Sequence, residues 1–173
     1  MTSETQQKII VRQWTLADVP AVQHIALTTW LATYSSFIPN EDIQAFFDTY
    51  YTSGALGEFC NAETKRGFIA EMESQAIGFA KTHFSHDDNK FYLNSLYVLP
   101  AHQGKGIGSE LLKRSEEFAL TCGADAVWLG VMNQNVAALA WYKRIGFEFV
   151  KEEPFTMGKT TVNHLIGCRK INP

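Results

Sequence analysis

Nowhere in the 173 residues do about eighteen apolar residues run together, so the sequence supplies no membrane-spanning helix. The stretch Met1 to Lys8 is polar and has no apolar run behind a basic start, which sets the expectation of a soluble, cytoplasmic protein. Cysteine is scarce. Cys60, Cys122 and Cys168 are odd in number, far apart and free of any C-x-x-C pair, so neither a disulfide framework nor a zinc cluster is indicated. His24, His86, His102 and His164 show no ligand spacing, and no metal is expected. An excess of positive charge is also lacking: 15 lysines and arginines against 18 aspartates and glutamates leave −3, with no attraction to nucleic-acid phosphates. Proline-rich linkers, low-complexity tracts and fixed-period repeats are absent, so a flexible tail over residues 1–7 is expected to lead into one domain over residues 8–173.

What is present is ample core material, 46% hydrophobic residues against 19% charged, arranged in two alternating periods. Ile9 to Val11 reads as a strand. Thr15 to Asp18 resembles a capping box opening a helix from about Leu16, whose apolar positions Val19, Val22, Ile25, Ala26 and Trp30 keep helical spacing. A turn around Tyr34 to Pro39 precedes a shorter helix near Asp42 to Tyr50, and Gly54 to Thr64 reads as turn-rich. Gly67 to Met72, Ala76 to Phe84 and Phe91 to Leu99 are β-branched or aromatic runs separated by short polar gaps, as in an antiparallel meander. Ile107 to Phe118 is helical and is stopped by Gly123. Ala126 to Val131 then reads as a strand, Asn135 to Arg144 as a helix, and Phe147 to Lys151 and Thr161 to Cys168 as strands. The resulting order, βααβββαβαββ, predicts an α/β domain with helices on both faces of a mixed sheet.

The most informative segment runs from Leu96 to Gly108, where a strand ends at Pro100, passes through Gly104, Gly106 and Gly108, and opens a helix. Alternate glycines let backbone amides approach a ligand, and the helix start adds unpaired N–H groups and a positive dipole end, an arrangement suited to phosphate or pyrophosphate. A Walker loop is excluded, because Leu99 stands where its first glycine belongs and Lys105 is followed by Gly106 rather than a hydroxyl residue. The dinucleotide fingerprint fails too. Gly104-Lys105-Gly106-Ile107-Gly108 ends in Ser109, and Asp125 lies at the start of the next strand rather than at its carboxyl end.

The pattern Gln103-x-x-Gly106-x-Gly108 after the strand resembles motif A of the GNAT superfamily of N-acetyltransferases. Asn135-x-x-Ala138-x-x-x-Tyr142-x-x-x-Gly146-Phe147 resembles motif B of the same superfamily. Both occur in the expected order and separation. Trp128 to Val131 and Pro154 to Gly158 are similar to segments of bacterial spermidine/spermine acetyltransferases. The resemblance implies a mostly antiparallel sheet with one central splayed parallel pair, here the strands Phe91 to Leu99 and Ala126 to Val131, and acetyl-CoA as cosubstrate between them.

Carried over residue by residue, the resemblance implies that the amides of Gln103, Gly104, Lys105, Gly106, Ile107 and Gly108 hold the pyrophosphate. Leu96, Tyr97 and Val98 would pair through backbone with the pantetheine arm, the Val98 amide polarising the thioester carbonyl. Asn135 would either bond the pantetheine or cap its helix. Tyr142 is the expected acid, since a phenol of ordinary pKa near 10 stays protonated at neutral pH and can supply a leaving thiolate. Asn94 stands where many relatives carry a glutamate base and cannot accept a proton, which leaves His83 and Glu71 as candidates or water as the carrier. Trp30, Tyr34 and Phe37, with Glu41, Asp42 and Asp48, form a candidate aromatic and acidic pocket for a cationic amine such as a polyamine; Asn94 would also border the acceptor. The rival reading is a catalytically silent acyl-CoA-sensing or interaction module on the same fold. Whether the chain is a monomer or a homodimer is left open.

Overall fold

The computed structural model describes residues 8–172; the expected tail over residues 1–7 lies outside them. Strand β1 (Ile9–Gln13) leads through a single 3-10 turn into helix α1 (Val19–Tyr34), followed by α2 (Asn40–Tyr50) and α3 (Ser53–Asn61). The meander β2 (Lys65–Met72), β3 (Gln75–Ser85) and β4 (Lys90–Val98) comes next, then α4 (Ile107–Thr121), β5 (Ala126–Met132), α5 (Val136–Arg144), β6 (Glu148–Met157) and β7 (Thr160–Lys170). These strands form one seven-stranded sheet in the order β1-β2-β3-β4-β5-β7-β6. Every neighbouring pair is antiparallel except β4 and β5.

Strand alternation divides the core in two. One face of the sheet, carrying Phe68, Ile77, Phe91, Leu93 and Val127, packs on Ile107, Leu111 and Phe118 of α4 and on Leu139 and Tyr142 of α5. The other face, carrying Ile69 and Phe79, packs on Val22, Ile25 and Trp30 of α1, Ile43 of α2 and Leu56 of α3. Period-2 burial on the strands and period-3.6 burial on the helices meet at these two layers.

Two elements differ from the sequence expectation. Helix α3 occupies the segment read as turns, because Gly54 and Gly57 lower its intrinsic propensity. Tertiary contacts override that cost: the Thr52 side chain caps the Ala55 amide at 3.2 Å, and Leu56 and Cys60 are buried. The observed element order therefore has a third helix before β2. Strand β6 continues past Lys151 to Met157 despite Pro154, which is tolerated because β6 is the sheet edge. Between Phe149 and Lys151 the β6–β7 register shifts, leaving exposed Val150 unpaired.

The feature that positions a site is the parallel pair. Strands β4 and β5 are in register only at Phe91↔Val127 and Tyr92↔Trp128, yet β4 runs on to Val98 and β5 to Met132. Beyond Tyr92 the two strands splay, and the sheet opens through its middle.

Candidate active site

A cavity of about 930 Å³ occupies this opening and is lined by both splayed strands, α1, α2, the turn before α4, α5 and the β6–β7 pair. One end is the glycine turn. Gly104 and Gly106 have φ of +77° and +81°, and a Cβ on either would meet nothing within 4 Å, so the turn is an open cradle of backbone. Gly106 is also the N-cap of α4, whose first amides have no partner within the helix. Such a cradle fits a pyrophosphate. The side chain of Gln103 donates to the Val98 carbonyl at 3.0 Å and ties the turn to the end of β4.

Along β4, the Leu99 amide donates to the Ile77 carbonyl of β3 at 2.8 Å. Because strand amides alternate in direction, the Val98 amide points the other way, into the splay. Leu96, Tyr97 and Val98 all line the cavity. The Tyr97 side chain is half-buried on the α1 face, with its hydroxyl 3.1 Å from that of Tyr34.

Tyr142 enters from α5 and lines the middle of the cavity, only 8% exposed. It packs edge-on against Phe147, with ring centroids 5.2 Å apart. Its hydroxyl makes no hydrogen bond among the described residues, and burial raises its pKa well above the ordinary value, so the phenol is protonated and unspent. Asn135 also lines the cavity, but its side chain accepts from the Ala138 amide at 3.3 Å and so caps α5. Trp141 faces the cavity beside Gly108, where an added Cβ would lie 3.4 Å from its ring.

Several expected site residues lie elsewhere. His83 bonds Asn94 through its Nδ1 at 2.7 Å and stacks on Tyr92, and it does not line the cavity, although Asn94 does. Glu71 is held 2.7 Å from Arg12, within a bridge that also takes in Asp18, remote from the cavity. Lys105 is exposed and points no contact into the cavity. Trp30 and Tyr34 line it; Phe37 instead packs on Tyr34 outside. The acidic half of the expected pocket is absent from the cavity wall: Asp42 binds Lys159 and Thr160, Asp48 accepts from Gln44 on the surface, and Glu41 is exposed.

In their place stand residues that periodicity alone does not single out. Tyr51 bonds Ser95 at 2.7 Å, and both line the cavity together with Lys81, Phe155, Met157 and His164. Burial lowers the His164 pKa against the pull of Glu153. The phase of β3 was the available signal for Lys81, since Phe79, two residues earlier, faces the α1 side. No cluster of metal ligands occurs among the described residues, and no described helix is long and apolar enough to span a membrane.

Comparison with known proteins gives one family. The family model "Acetyltransferase (GNAT) family" matches residues 27–147. An uncharacterized N-acetyltransferase of Mycobacterium tuberculosis is 25% identical over 156 residues, covering 90% of this chain and 99% of that protein. The streptothricin acetyltransferase of Streptomyces lavendulae is 36% identical over 97 residues, 56% of this chain and 50% of that one. Among solved structures, the PaiA N-acetyltransferase of Thermoplasma acidophilum, crystallised with coenzyme A, shares the fold with a TM-score of 0.81. It is 23% identical, and the match covers 95% of this chain and 99% of that one.

Proposed function

The chain belongs to the acetyltransferase (GNAT) family, and from that membership we propose that it moves the acetyl group of acetyl-CoA onto a primary amine by direct attack in a ternary complex. The observation that carries this reading is the cavity through the splayed sheet, with an anion cradle at one end, aromatic walls at the other and an unspent buried phenol between them.

Acetyl-CoA supplies an activated acyl carbon. The amides of Gln103 to Gly108 hold its pyrophosphate, and the α4 dipole adds to that attraction. Leu96, Tyr97 and Val98 present backbone to the pantetheine arm. The Val98 amide faces the thioester carbonyl and stabilises the negative charge that grows on its oxygen as the amine nitrogen attacks. Tyr142 gives its proton to the sulfur as the carbon–sulfur bond breaks, leaving coenzyme A as the thiol. The nitrogen's surplus proton passes to water at the mouth of the cavity. His83 and Glu71 are not its acceptors, being bound at Asn94 and Arg12.

A polyamine acceptor would call for carboxylates around the second amine, and none lines the cavity among the described residues. We therefore carry forward the primary amine and treat the polyamine as one member of the test. Thiol release from acetyl-CoA, measured across a panel of primary amines, is expected with at least one class. Coenzyme A binding without thiol release for any amine would overturn the reading and favour a silent acyl-CoA-binding module.

A further inference from the structure

Strand β3 carries an unusual passenger. Lys81 pairs with Ser95 across the β3–β4 ladder at the point where the register slips past Asn94, and its side chain faces the cavity. The Nζ lies 4.5 Å from the Tyr51 ring centroid and 5.2 Å from that of Phe59. Among the described residues it makes no ion pair and no hydrogen bond. The charged side chain nearest in effect is Lys65, a like charge already paired with Glu58. A lysine held this way has exchanged most of its water for two aromatic rings, an incomplete compensation for an ammonium. The cavity wall around it offers no Asp or Glu.

We propose that Lys81 is the specificity-determining residue of the acceptor end, an anion holder that selects primary amines also bearing a carboxylate, as in an amino acid, over polycations. The inference rests on the amine-acetylating function proposed above. A carboxylate entering from the amine side finds an ammonium with no competing partner, and the pair forms where little water screens it. A second ammonium, as in a diamine, meets the same charge as repulsion. Neighbouring hydroxyls of Ser95 and Tyr51, already bonded to each other, complete a polar floor beneath the carboxylate. Lys81 touches substrate but moves no proton, so its effect falls on acceptor KM rather than on the chemical step.

The test compares ω-amino acids of graded length with their carboxamides and with diamines of matching length, read as thiol release. The wild-type enzyme is expected to prefer the carboxylate over its carboxamide by about tenfold or more in kcat/KM, mainly through KM. Lys81→Met should abolish that preference while leaving coenzyme A affinity unchanged by calorimetry, and Lys81→Arg should retain part of it. A thermal melt at or above wild type shows that Lys81→Met is folded. Equal rates with carboxylate and carboxamide, a preference for diamines, or a preference surviving in Lys81→Met would overturn the assignment while leaving the acetyltransferase reading intact. Silence toward every amine would overturn both.

Discussion

The Asp42 carboxylate accepts the Thr160 hydroxyl at 2.6 Å and the Lys159 amide at 2.9 Å, joining the first turn of α2 to the β6–β7 turn across 118 residues of chain. Phe46 and Tyr50 of α2 and Phe155, Met157 and His164 of β6 and β7 all face the cavity, so this tie sets the width of its acceptor end. Gly158 makes the approach possible, since a Cβ there would fall 2.5 Å from the carboxylate.

Asp42→Ala is therefore expected to raise amine KM by about tenfold through loss of positioning, to lower the melting temperature, and to leave coenzyme A binding as it was. The Thr160 hydroxyl, followed by the Lys159 amide, holds the Asp42 pKa below its ordinary value. A depressed carboxylate stabilises the fold above the unfolded pKa near 4 and loses that contribution as pH falls through the folded value. The wild type should thus lose more stability than Asp42→Ala in an acid titration followed by circular dichroism. Coincident acid transitions, or unchanged amine KM, would show that the tie is incidental.

Gly106→Glu probes the cradle. The open space at Gly106 leaves room for a side chain, but its φ of +81° disfavours any residue with a Cβ, and a carboxylate would repel phosphate. Coenzyme A affinity should drop by at least about a hundredfold in calorimetry, equivalent to roughly 2.7 kcal/mol. Gly106→Ala, strained but uncharged, should fall between. Wild-type affinity in the glutamate variant would place the pyrophosphate elsewhere.

Tyr142→Phe keeps the ring and its contact with Phe147 while removing the hydroxyl. Because that hydroxyl has no protein partner among the described residues, stability should change by less than about 1 kcal/mol. Turnover should fall roughly 10²- to 10⁴-fold with coenzyme A affinity little altered. Raised by burial, the phenol stays protonated across the working range, so the wild-type rate should show no downward limb from Tyr142 below pH 10. Unchanged turnover under chemistry-limited conditions would reduce Tyr142 to a packing residue.

Much of this architecture was legible because it follows from periodicity. The meander, the helix after the glycine turn and the final strands each announce themselves by a change of repeat, and the turn itself shows its glycines. Helix α3 was not legible, because Gly54 and Gly57 mask a helix that exists through the Thr52 cap and buried Leu56. At the site, the residues on contiguous strand and turn could be placed by motif, whereas the acceptor wall is assembled from α1, α2, β3 and the β6–β7 pair. Acidic residues near Trp30 in sequence suggested a cation pocket; in space Asp42 turns to Thr160. His83 shares the alternation of Lys81, yet the register slip at Asn94 binds it outside. Which member of a strand face reaches a cavity depends on such local irregularities, and hydrophobic patterning does not encode them.

Lys81 links specificity to stability. Burial lowers its pKa to about 8, and the like charge of Lys65 adds to the fall. A lysine whose pKa is lower in the folded state than in the unfolded chain opposes folding while both are protonated, and that penalty is relieved as pH rises from about 8 toward the unfolded value near 10.4. Wild-type stability should therefore gain between these limits relative to Lys81→Met, whose apolar side chain carries no such cost. At pH 7 the methionine variant should be more stable by about 1–3 kcal/mol, since replacing a poorly compensated buried charge by an apolar side chain is commonly stabilising. Binding a carboxylate should reverse the effect by raising the lysine pKa, so an ω-amino acid should increase the wild-type melting temperature more than that of Lys81→Met. Chemical denaturation of both proteins at pH 7 and pH 9.5, with and without the amino acid, measures all of these terms. A methionine variant less stable than wild type at pH 7 would mean that Lys81 is already satisfied within the fold.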